Sequence, residues 1–286
     1  MRKEERNLHQ LEKIVAGLAL AAVLGLSAGF ARAAEPAALR SASVLVQDAK
    51  SGETLYAKNH SAVLPIASIT KLMTAIVILD ANVDMQQRVI ISGDDRDQLK
   101  GTRSRLRPGT VLTRDYMLLL ALMSSENRAA AALARTYPGG GEVFVAAMNA
   151  KARELGMTDT RFVDASGLSP GNVSSASDLA RLVAKAHEYP VIREYSTRTS
   201  ATVQSFGGRK LGFNNTNGLV RGGQWEIGLS KTGYISEAGR CLVMRVKMAS
   251  RELNVILLDS WGRLSRIGDA NRILRWLETN AAARHS

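Results

Sequence analysis

The chain has 286 residues, of which 45% are hydrophobic and 22% are charged, and its formal net charge at pH 7 is +12. This composition supports a large folded core and excludes a disordered or collagen-like protein. The single cysteine, Cys241, excludes an internal disulfide, while the basic excess favours an anionic partner such as cell wall or lipid headgroups.

The first 33 residues have the order of a secretory signal peptide. A polar, basic start (1–13) precedes an uncharged apolar run (14–30) and the small-residue pattern Ala31-Arg32-Ala33. We expect cleavage near Ala33 and a periplasmic mature chain. An uncleaved membrane anchor is the alternative, although the run is slightly short for a span. In both cases the rest of the chain is exported, which argues against nucleic acid as the partner.

The remaining pattern predicts two strands, a helical block, several strands and a closing helix. Segments 43–47 and 54–59 alternate as a β-hairpin does. Helices are expected at 68–79, 113–123, 126–137, 142–155 and 175–189, the last of them capped by Ser177. Strands are expected in the words TVQSF, WEIGLSKTG, RCLVMRVKMA and ELNVILLDS, and a helix at 265–279.

This order of elements predicts an α+β fold. An antiparallel sheet would be assembled from both ends of the chain, with a helical subdomain inserted at about residues 80–200. We expect residues 34–286 to form a single domain, because the chain ends soon after the closing helix and leaves no room for a second, sheet-rich domain.

The first candidate site is Ser68-x-x-Lys71, inside an apolar helix. Lysine is almost never fully buried unless it is paired, and the i, i+3 spacing puts the amine beside the hydroxyl. Serine needs a base to become a nucleophile, and a lysine whose neutral form is accessible can be that base. The alternative is a chance tetrapeptide, which arises about once in a chain of this length. Thr74, deeper in the helix, is interpreted as packing.

The second candidate is Ser125-Glu126-Asn127, between two predicted helices. Its hydroxyl could relay a proton, and its amide could bind substrate or position the lysine. The alternative is that Ser124 or Ser125 simply caps the next helix.

The third candidate is Lys231-Thr232-Gly233, at the end of a predicted strand. A cation and a hydroxyl there can hold a carboxylate, and the glycine lets substrate backbone approach. If the strand lies at a sheet edge, an extended peptide can pair with it. The alternative is an ordinary strand end with a solvated lysine. The similar Lys50-Ser51-Gly52 lies in a predicted hairpin turn and is interpreted as structural.

These three motifs, in this order, resemble the signature of penicillin-binding proteins and serine β-lactamases. The surrounding words PIASITKLMTA, SSENRAA, RFVDASGL, NTNGL and KTGYISEAGRCLV are similar to the D-alanyl-D-alanine carboxypeptidase and endopeptidase family, the low-molecular-mass penicillin-binding proteins, over roughly residues 40–277. The resemblance implies a β-lactamase/transpeptidase-like fold with a five-stranded antiparallel sheet flanked by helices.

The resemblance also implies roles for the first two motifs. Ser68 would attack the carbonyl of D-alanine and form an acyl-enzyme, while Lys71 takes its proton. Ser125 would relay a proton to the leaving amine, and Asn127 would bind the acyl side and Lys71.

The third motif would bind the other side of the substrate. Lys231, Thr232 and Gly233 would orient and accommodate the terminal carboxylate region, and the backbone N–H groups of Ser68 and Tyr234 would form the oxyanion hole. No metal or cofactor is implied, and the four histidines show no ligand spacing.

The short C-terminal end, AAARHS, together with the words SEN and KTGYISEAGRCLV, is similar to the endopeptidase branch, which cuts the D-alanyl-diaminopimelate cross-link between peptidoglycan stem peptides. β-Lactam antibiotics would then be covalent inhibitors. Three alternatives remain: a D-alanyl-D-alanine carboxypeptidase, a serine β-lactamase and a non-catalytic wall-binding protein. Against a class A β-lactamase, no E-x-x-L-N word is present, and Glu154, predicted at a helix end, is a poor substitute.

Overall fold

The computed structural model describes residue 36, residues 38–248 and residues 251–283. Its strands, in chain order, are β1 (Ser41–Asp48), β2 (Thr54–Lys58), β3 (Leu64–Pro65), β4 (Arg88–Ile90), β5 (Val111–Thr113), β6 (Val173–Ser174), β7 (Ser200–Gln204), β8 (Lys210–Asn214), β9 (Glu226–Ile235), β10 (Gly239–Met248) and β11 (Arg251–Ser260). Its α-helices are α1 (Lys71–Asp80), α2 (Arg114–Met123), α3 (Asn127–Arg135), α4 (Gly140–Glu154), α5 (Ala176–Glu188), α6 (Pro190–Thr197), α7 (Gly218–Gly222) and α8 (Ser265–Ala283).

The main sheet joins both ends of the described chain. Its five strands are all antiparallel and lie in the order β2-β1-β11-β10-β9, so β9 is an edge strand, as the third motif requires for peptide pairing. The central strands have consecutive buried residues, such as Val44 to Val46, because both faces of the sheet are covered. The predicted α+β fold with a five-stranded antiparallel sheet is confirmed.

Helices cover the two faces of this sheet. On one face, Ala270, Ile273 and Leu274 of α8 pack against strand residues such as Val255. The larger core lies on the other face and includes α1, whose Leu72, Met73, Ala75, Ile76 and Ile78 have no exposed surface. A helix buried all round can hold a polar side chain away from water, which is what the site needs.

Three details of the sequence predictions need correction. The segment TVQSF is a strand only at residues 202–204, which belong to β7, and β7 pairs with β8 in a separate two-stranded sheet. Ser177 does not cap α5; Ser175 does, by accepting a hydrogen bond from the backbone N–H of Asp178, while the Ser177 hydroxyl lies 2.8 Å from His60 Nδ1. The helix expected from residue 68 begins with a 3₁₀ turn, Ala67–Thr70, and becomes α-helical only at Lys71.

The described residues contain no helix that is both long and apolar enough to cross a bilayer. The signal peptide predicted for residues 1–33 lies outside the described residues.

Candidate active site

The 3₁₀ turn at Ala67–Thr70 presents Ser68 directly in front of Lys71. Lys71 is fully buried, and its Nζ donates to Ser68 Oγ at 2.8 Å, to Asn127 Oδ1 at 2.7 Å and to the Ser166 carbonyl at 2.6 Å. All three acceptors are neutral oxygens. The amine is therefore satisfied as a hydrogen-bond donor without a direct carboxylate partner that would hold its charge.

Burial controls the protonation of this amine. Loss of solvation lowers the pKa of Lys71 to about 7, and the charges of Asp164 and Glu126 oppose the effect only in part. A lysine with this pKa is neutral in a large fraction of molecules at neutral pH, so it can accept the hydroxyl proton of Ser68.

The turn carrying Ser68 is held in place by close backbone contact on two sides. Ala67 has a left-handed φ of 48°, which is uncommon for a residue other than glycine. A Cβ atom at Gly167 would lie 1.9 Å from the Ala67 carbonyl oxygen, and a Cβ atom at Gly233 would lie 2.8 Å from the Ile66 carbonyl oxygen. Gly233 therefore has a packing reason to be glycine, whereas its predicted contact with substrate stays a prediction.

Ser125 lies outside both neighbouring helices. It has a left-handed φ of 57°, and α3 is capped by the side chain of Glu126, which accepts from the backbone N–H of Arg128. The Ser124 hydroxyl bonds to the Leu120 carbonyl at the end of α2. The alternative that Ser124 or Ser125 merely caps α3 is therefore wrong, and the Ser125 hydroxyl is free to face the site.

Lys231 is the group that meets Ser125. Its Nζ donates to Ser125 Oγ at 2.9 Å and to the Thr232 carbonyl at 3.0 Å, and only 1% of the residue is exposed. Burial lowers the pKa of Lys231, and the nearby charges of Lys71 and Arg266 lower it further. The alternative of a solvated lysine at a strand end is wrong; the structure places two buried amines along one groove.

The remaining predicted residues lie on the same strand. Thr232 Oγ1 donates to Thr216 Oγ1 at 2.6 Å. Tyr234, two residues further along β9, is 56% exposed, and the Arg240 guanidinium lies 4.4 Å from its ring centroid. The position of a Cβ atom at Gly233 would be 3.2 Å from the backbone nitrogen of Ser68. The two backbone N–H groups predicted to bind an oxyanion thus belong to adjoining segments.

A loop between Asp164 and Ser169, which the sequence motifs did not predict as part of the site, completes it. Asp164 Oδ1 accepts from the N–H groups of Ser166 and Gly167 at 2.6 Å each, and this turn directs the Ser166 carbonyl at Lys71. The same carbonyl accepts from Ser68 Oγ at 3.4 Å. The word RFVDASGL contains Asp164-Ala165-Ser166-Gly167, and these residue types favour a tight turn. That turn chemistry was the signal in the sequence for a role of this loop in the site.

Arg266 of α8 was also missed. Its guanidinium donates to the Gly233 carbonyl at 2.9 Å, which brings a third cation to the end of β9. No short motif surrounds it, and only the packing of α8 on the sheet brings it there.

The residues interpreted as structural, Thr74 and Lys50-Ser51-Gly52, do have structural roles. Thr74 Oγ1 donates to the Ala165 carbonyl at 2.7 Å inside the core. Lys50-Ser51-Gly52 forms the exposed β1–β2 turn, where the Asp48 carboxylate accepts from the N–H groups of Lys50 and Ser51. Glu154 ends α4 and pairs with Lys151.

A five-stranded antiparallel sheet flanked by helices, with a serine beside a buried lysine and a second lysine on the edge strand, defines a serine DD-peptidase of the β-lactamase/transpeptidase-like fold. The chain belongs to the D-alanyl-D-alanine carboxypeptidase family, whose sequence profile matches residues 30–261. The family predicted from the sequence is thereby confirmed.

Individual relatives agree with this assignment. A D-alanyl-D-alanine endopeptidase of Pseudomonas aeruginosa is 48% identical over 242 residues, which cover 84% of this chain and 78% of the relative. A D-alanyl-D-alanine endopeptidase of Escherichia coli is 43% identical with the same coverage. The crystal structure of the Streptomyces K15 DD-transpeptidase matches with a TM-score of 0.78 and 25% identity, covering 85% of this chain and 98% of that one.

Gly167→Ala tests the close contact behind Ser68. We expect it to lower the free energy of unfolding by about 1–3 kcal/mol more than Gly52→Ala does, because overpacking adds to the shared left-handed strain. Gly52 is the matched control, since its φ of 75° is close to the 78° of Gly167 and nothing lies within 4 Å of its Cβ position. The measurements are urea unfolding and the rate of acylation by a β-lactam; equal effects of the two substitutions would contradict the contact.

The pKa of Lys71 predicts how acylation depends on pH. Because a group with a pKa of about 7 is neutral above that pH, the acylation rate constant should rise through about pH 7 and then level off. Lys71→Arg should reduce it at least about 100-fold, since arginine stays charged and accepts no proton. Stopped-flow acylation by a chromogenic β-lactam measures both, and a profile without this rise, or an active Lys71→Arg variant, would rule out Lys71 as the base.

Proposed function

We propose that this protein is an exported serine D,D-peptidase that cleaves D-alanyl-diaminopimelate cross-links in peptidoglycan through an acyl-enzyme on Ser68. The observation that carries the proposal is the 2.8 Å contact between Ser68 Oγ and a fully buried Lys71 whose hydrogen-bond acceptors are all neutral. This pair supplies a nucleophile and its base in one place.

Acylation follows from the geometry. Neutral Lys71 takes the hydroxyl proton as Ser68 Oγ forms a bond to the D-alanine carbonyl carbon. The carbonyl oxygen becomes an oxyanion, which the backbone N–H groups of Ser68 and Tyr234 stabilise. Asn127 keeps Lys71 Nζ in position through its side-chain oxygen, while its Nδ2 group donates to Thr102 Oγ1 and would bind the acyl side of the substrate from there.

The leaving amine departs on the other side of the scissile bond. Lys71, which took the proton of Ser68, returns it through Ser125, and the Ser125 hydroxyl protonates the amine nitrogen. Lys231 Nζ holds that hydroxyl by a hydrogen bond. The C–N bond then breaks. Lys231 and Thr232 orient the carboxylate next to the leaving amine, and its negative charge stabilises the charged form of Lys231, which burial otherwise disfavours.

Deacylation uses the same groups in reverse. Water takes the place of the leaving amine, Lys71 accepts its proton, and Ser68 Oγ recovers a proton when the ester bond breaks. Asp164 accepts hydrogen bonds from its own loop through both oxygens, and Glu126 caps α3 through Oε1. Because no carboxylate of the described residues bonds to Lys71 Nζ or Ser68 Oγ, we expect a β-lactam to form a long-lived acyl-enzyme and inhibit, which disfavours the β-lactamase alternative.

The choice of bond rests on the relatives. The two bacterial proteins at 48% and 43% identity are named endopeptidases, which supports cross-link cleavage. The family description names carboxypeptidase, so removal of a terminal D-alanine is the second candidate. Both reactions place a D-alanyl carbonyl on Ser68 and differ in the amine that leaves.

Digestion of purified sacculi separates the candidates. We expect the protein to convert cross-linked muropeptide dimers into monomers, as measured by chromatography and mass spectrometry, and Ser68→Ala to release none. Loss of D-alanine with unchanged cross-links would establish a carboxypeptidase. Wall binding without any turnover by the wild type would establish a binding protein, and sustained hydrolysis of a chromogenic β-lactam a β-lactamase.

We also infer export to the periplasm, with residues 34–286 forming one domain after removal of residues 1–33. Residues 1–33 hold five basic and three acidic side chains, so the net charge falls from +12 for the full chain to +10 for residues 34–286. This positive charge supports peripheral association with the anionic wall or membrane surface and suits the carboxylates of peptidoglycan stem peptides. Nucleic acid is not proposed as a partner.

The mass of the mature protein tests the inferred processing. Protein recovered from the cell envelope should begin at Ala34, and an N-terminus at Met1 would establish the uncleaved anchor instead.

A further inference from the structure

A chain of contacts surrounds the space above Ser68. On the helical side, Asn127 Nδ2 donates to Thr102 Oγ1 at 3.1 Å, and Asp97 Oδ2 accepts from both the N–H and the hydroxyl of Thr102. The other oxygen of Asp97 accepts from the N–H of Lys100 at 2.9 Å. The loop 97–102 is thus fastened beside the groove and carries Lys100 at its rim.

On the strand side, the same space is bounded by β9 and the turn that follows it. Gly233 lies against the backbone of Ser68, and the strand continues through Tyr234 to Ile235. Glu237 lies in the turn between β9 and β10, where Ser236 Oγ donates to its Oε2 at 2.6 Å.

Lys100 and Glu237 join the two sides, so that the loop 97–102, Asn127, Ser68, β9 and the β9–β10 turn form a closed circuit of contacts. Lys100 Nζ forms an ion pair with Glu237 Oε1, although the two residues are 137 positions apart in the chain. Their side chains are 24% and 40% exposed, so the contact lies at the surface. The hydrogen bonds from Lys100 and Ser236 lower the pKa of Glu237 to about 2, so the Glu237 carboxylate stays charged at neutral pH.

The direction of the substrate along β9 makes this contact important. If Lys231 and Thr232 hold the carboxylate of the leaving group, the acyl donor extends past Tyr234 towards Glu237. The far end of a donor stem peptide in the wall is joined to a glycan strand. In a cross-link the leaving amine belongs to a second stem peptide that is also tethered, so the donor has no free end to thread through a closed circuit, whereas a small β-lactam reaches Ser68 without passing the ion pair.

We propose that the Lys100–Glu237 ion pair is a specificity-determining gate at the acyl end of the groove, which must open to admit a wall-tethered stem peptide. This inference rests on the proposed function. An exposed ion pair suits such a gate, because its contribution is small enough for the open form to be reached readily. The pair therefore selects between substrates by their size and tethering and leaves the chemistry at Ser68 unchanged.

Lys100→Ala and Glu237→Gln test the gate from its two sides. Each should raise the initial rate of sacculus digestion by about two- to fivefold, the range that loss of an exposed ion pair allows, and leave the rate of β-lactam acylation unchanged. The charge-swapped double variant, Lys100→Glu with Glu237→Lys, should restore the wild-type rate. The matched control is the exposed pair Lys247–Glu226, which joins the end of β10 to the start of β9, at the end of this strand pair that lies away from the β9–β10 turn. Disruption of this control pair should change neither rate.

A covalent lock gives the opposite effect. In a variant with Lys100→Cys and Glu237→Cys, a short bis-maleimide linker should abolish sacculus digestion and preserve β-lactam acylation. The native Cys241 is buried, and burial raises the pKa of its thiol to about 11, so it should stay unlabelled.

The outcomes separate the gate from the proposed function. Sacculus digestion by the linked variant at the unlinked rate would overturn the gate. A loss of digestion in Lys100→Ala without any change in Glu237→Gln would also overturn it, because Lys100 would then be a substrate contact. Failure of the wild type to digest sacculi at all, with β-lactam acylation intact, would instead overturn the proposed endopeptidase function.

Discussion

The burial of one lysine amine among neutral acceptors is the constraint on which the site depends. Lys71 Nζ is removed from water, and a hydroxyl, an amide oxygen and a backbone carbonyl take its three hydrogen bonds. A carboxylate in any of these places would hold the ammonium charged and remove the base. Helix α1, buried from Lys71 to Ile78, the segment Ser125–Asn127 and the loop from Asp164 together maintain this arrangement, and each supplies one part of it.

Backbone geometry, more than side-chain choice, delivers the nucleophile. Ser68 stands on a short 3₁₀ turn with a left-handed residue before it, and Gly167 and Gly233 allow the turn to be pressed between a loop and the edge strand. The same edge strand then carries Lys231 to Ser125 and leads to the turn that holds Glu237. The position of one strand therefore links the chemistry to the access of substrate.

The fold was predictable where the signals are local. Alternation predicted β1 and β2, apolar runs predicted α1 and α2, and the three motifs predicted Ser68, Lys71 and Lys231. Errors arose where the composition of a segment leaves its partner undecided. The composition of TVQSF predicts a strand, yet that strand, β7, pairs with β8 in a separate hairpin. Ser177 is a residue type that often caps helices, yet α5 starts at Ala176 and the Ser177 hydroxyl contacts His60.

The sequence by itself determined which residue types are available and in what order: a serine three places before a lysine in an apolar run, a hydroxyl and amide between helices, and a lysine at a strand end. Only the tertiary structure decided that the Ser166 carbonyl completes the shell around Lys71, that Arg266 reaches β9, and that Lys100 meets Glu237. The reason is physical. Hydrophobic periodicity and motif spacing predict which residues are neighbours within one or two helical turns of the chain. These contacts instead follow from the packing of whole elements and from loops held at positive φ.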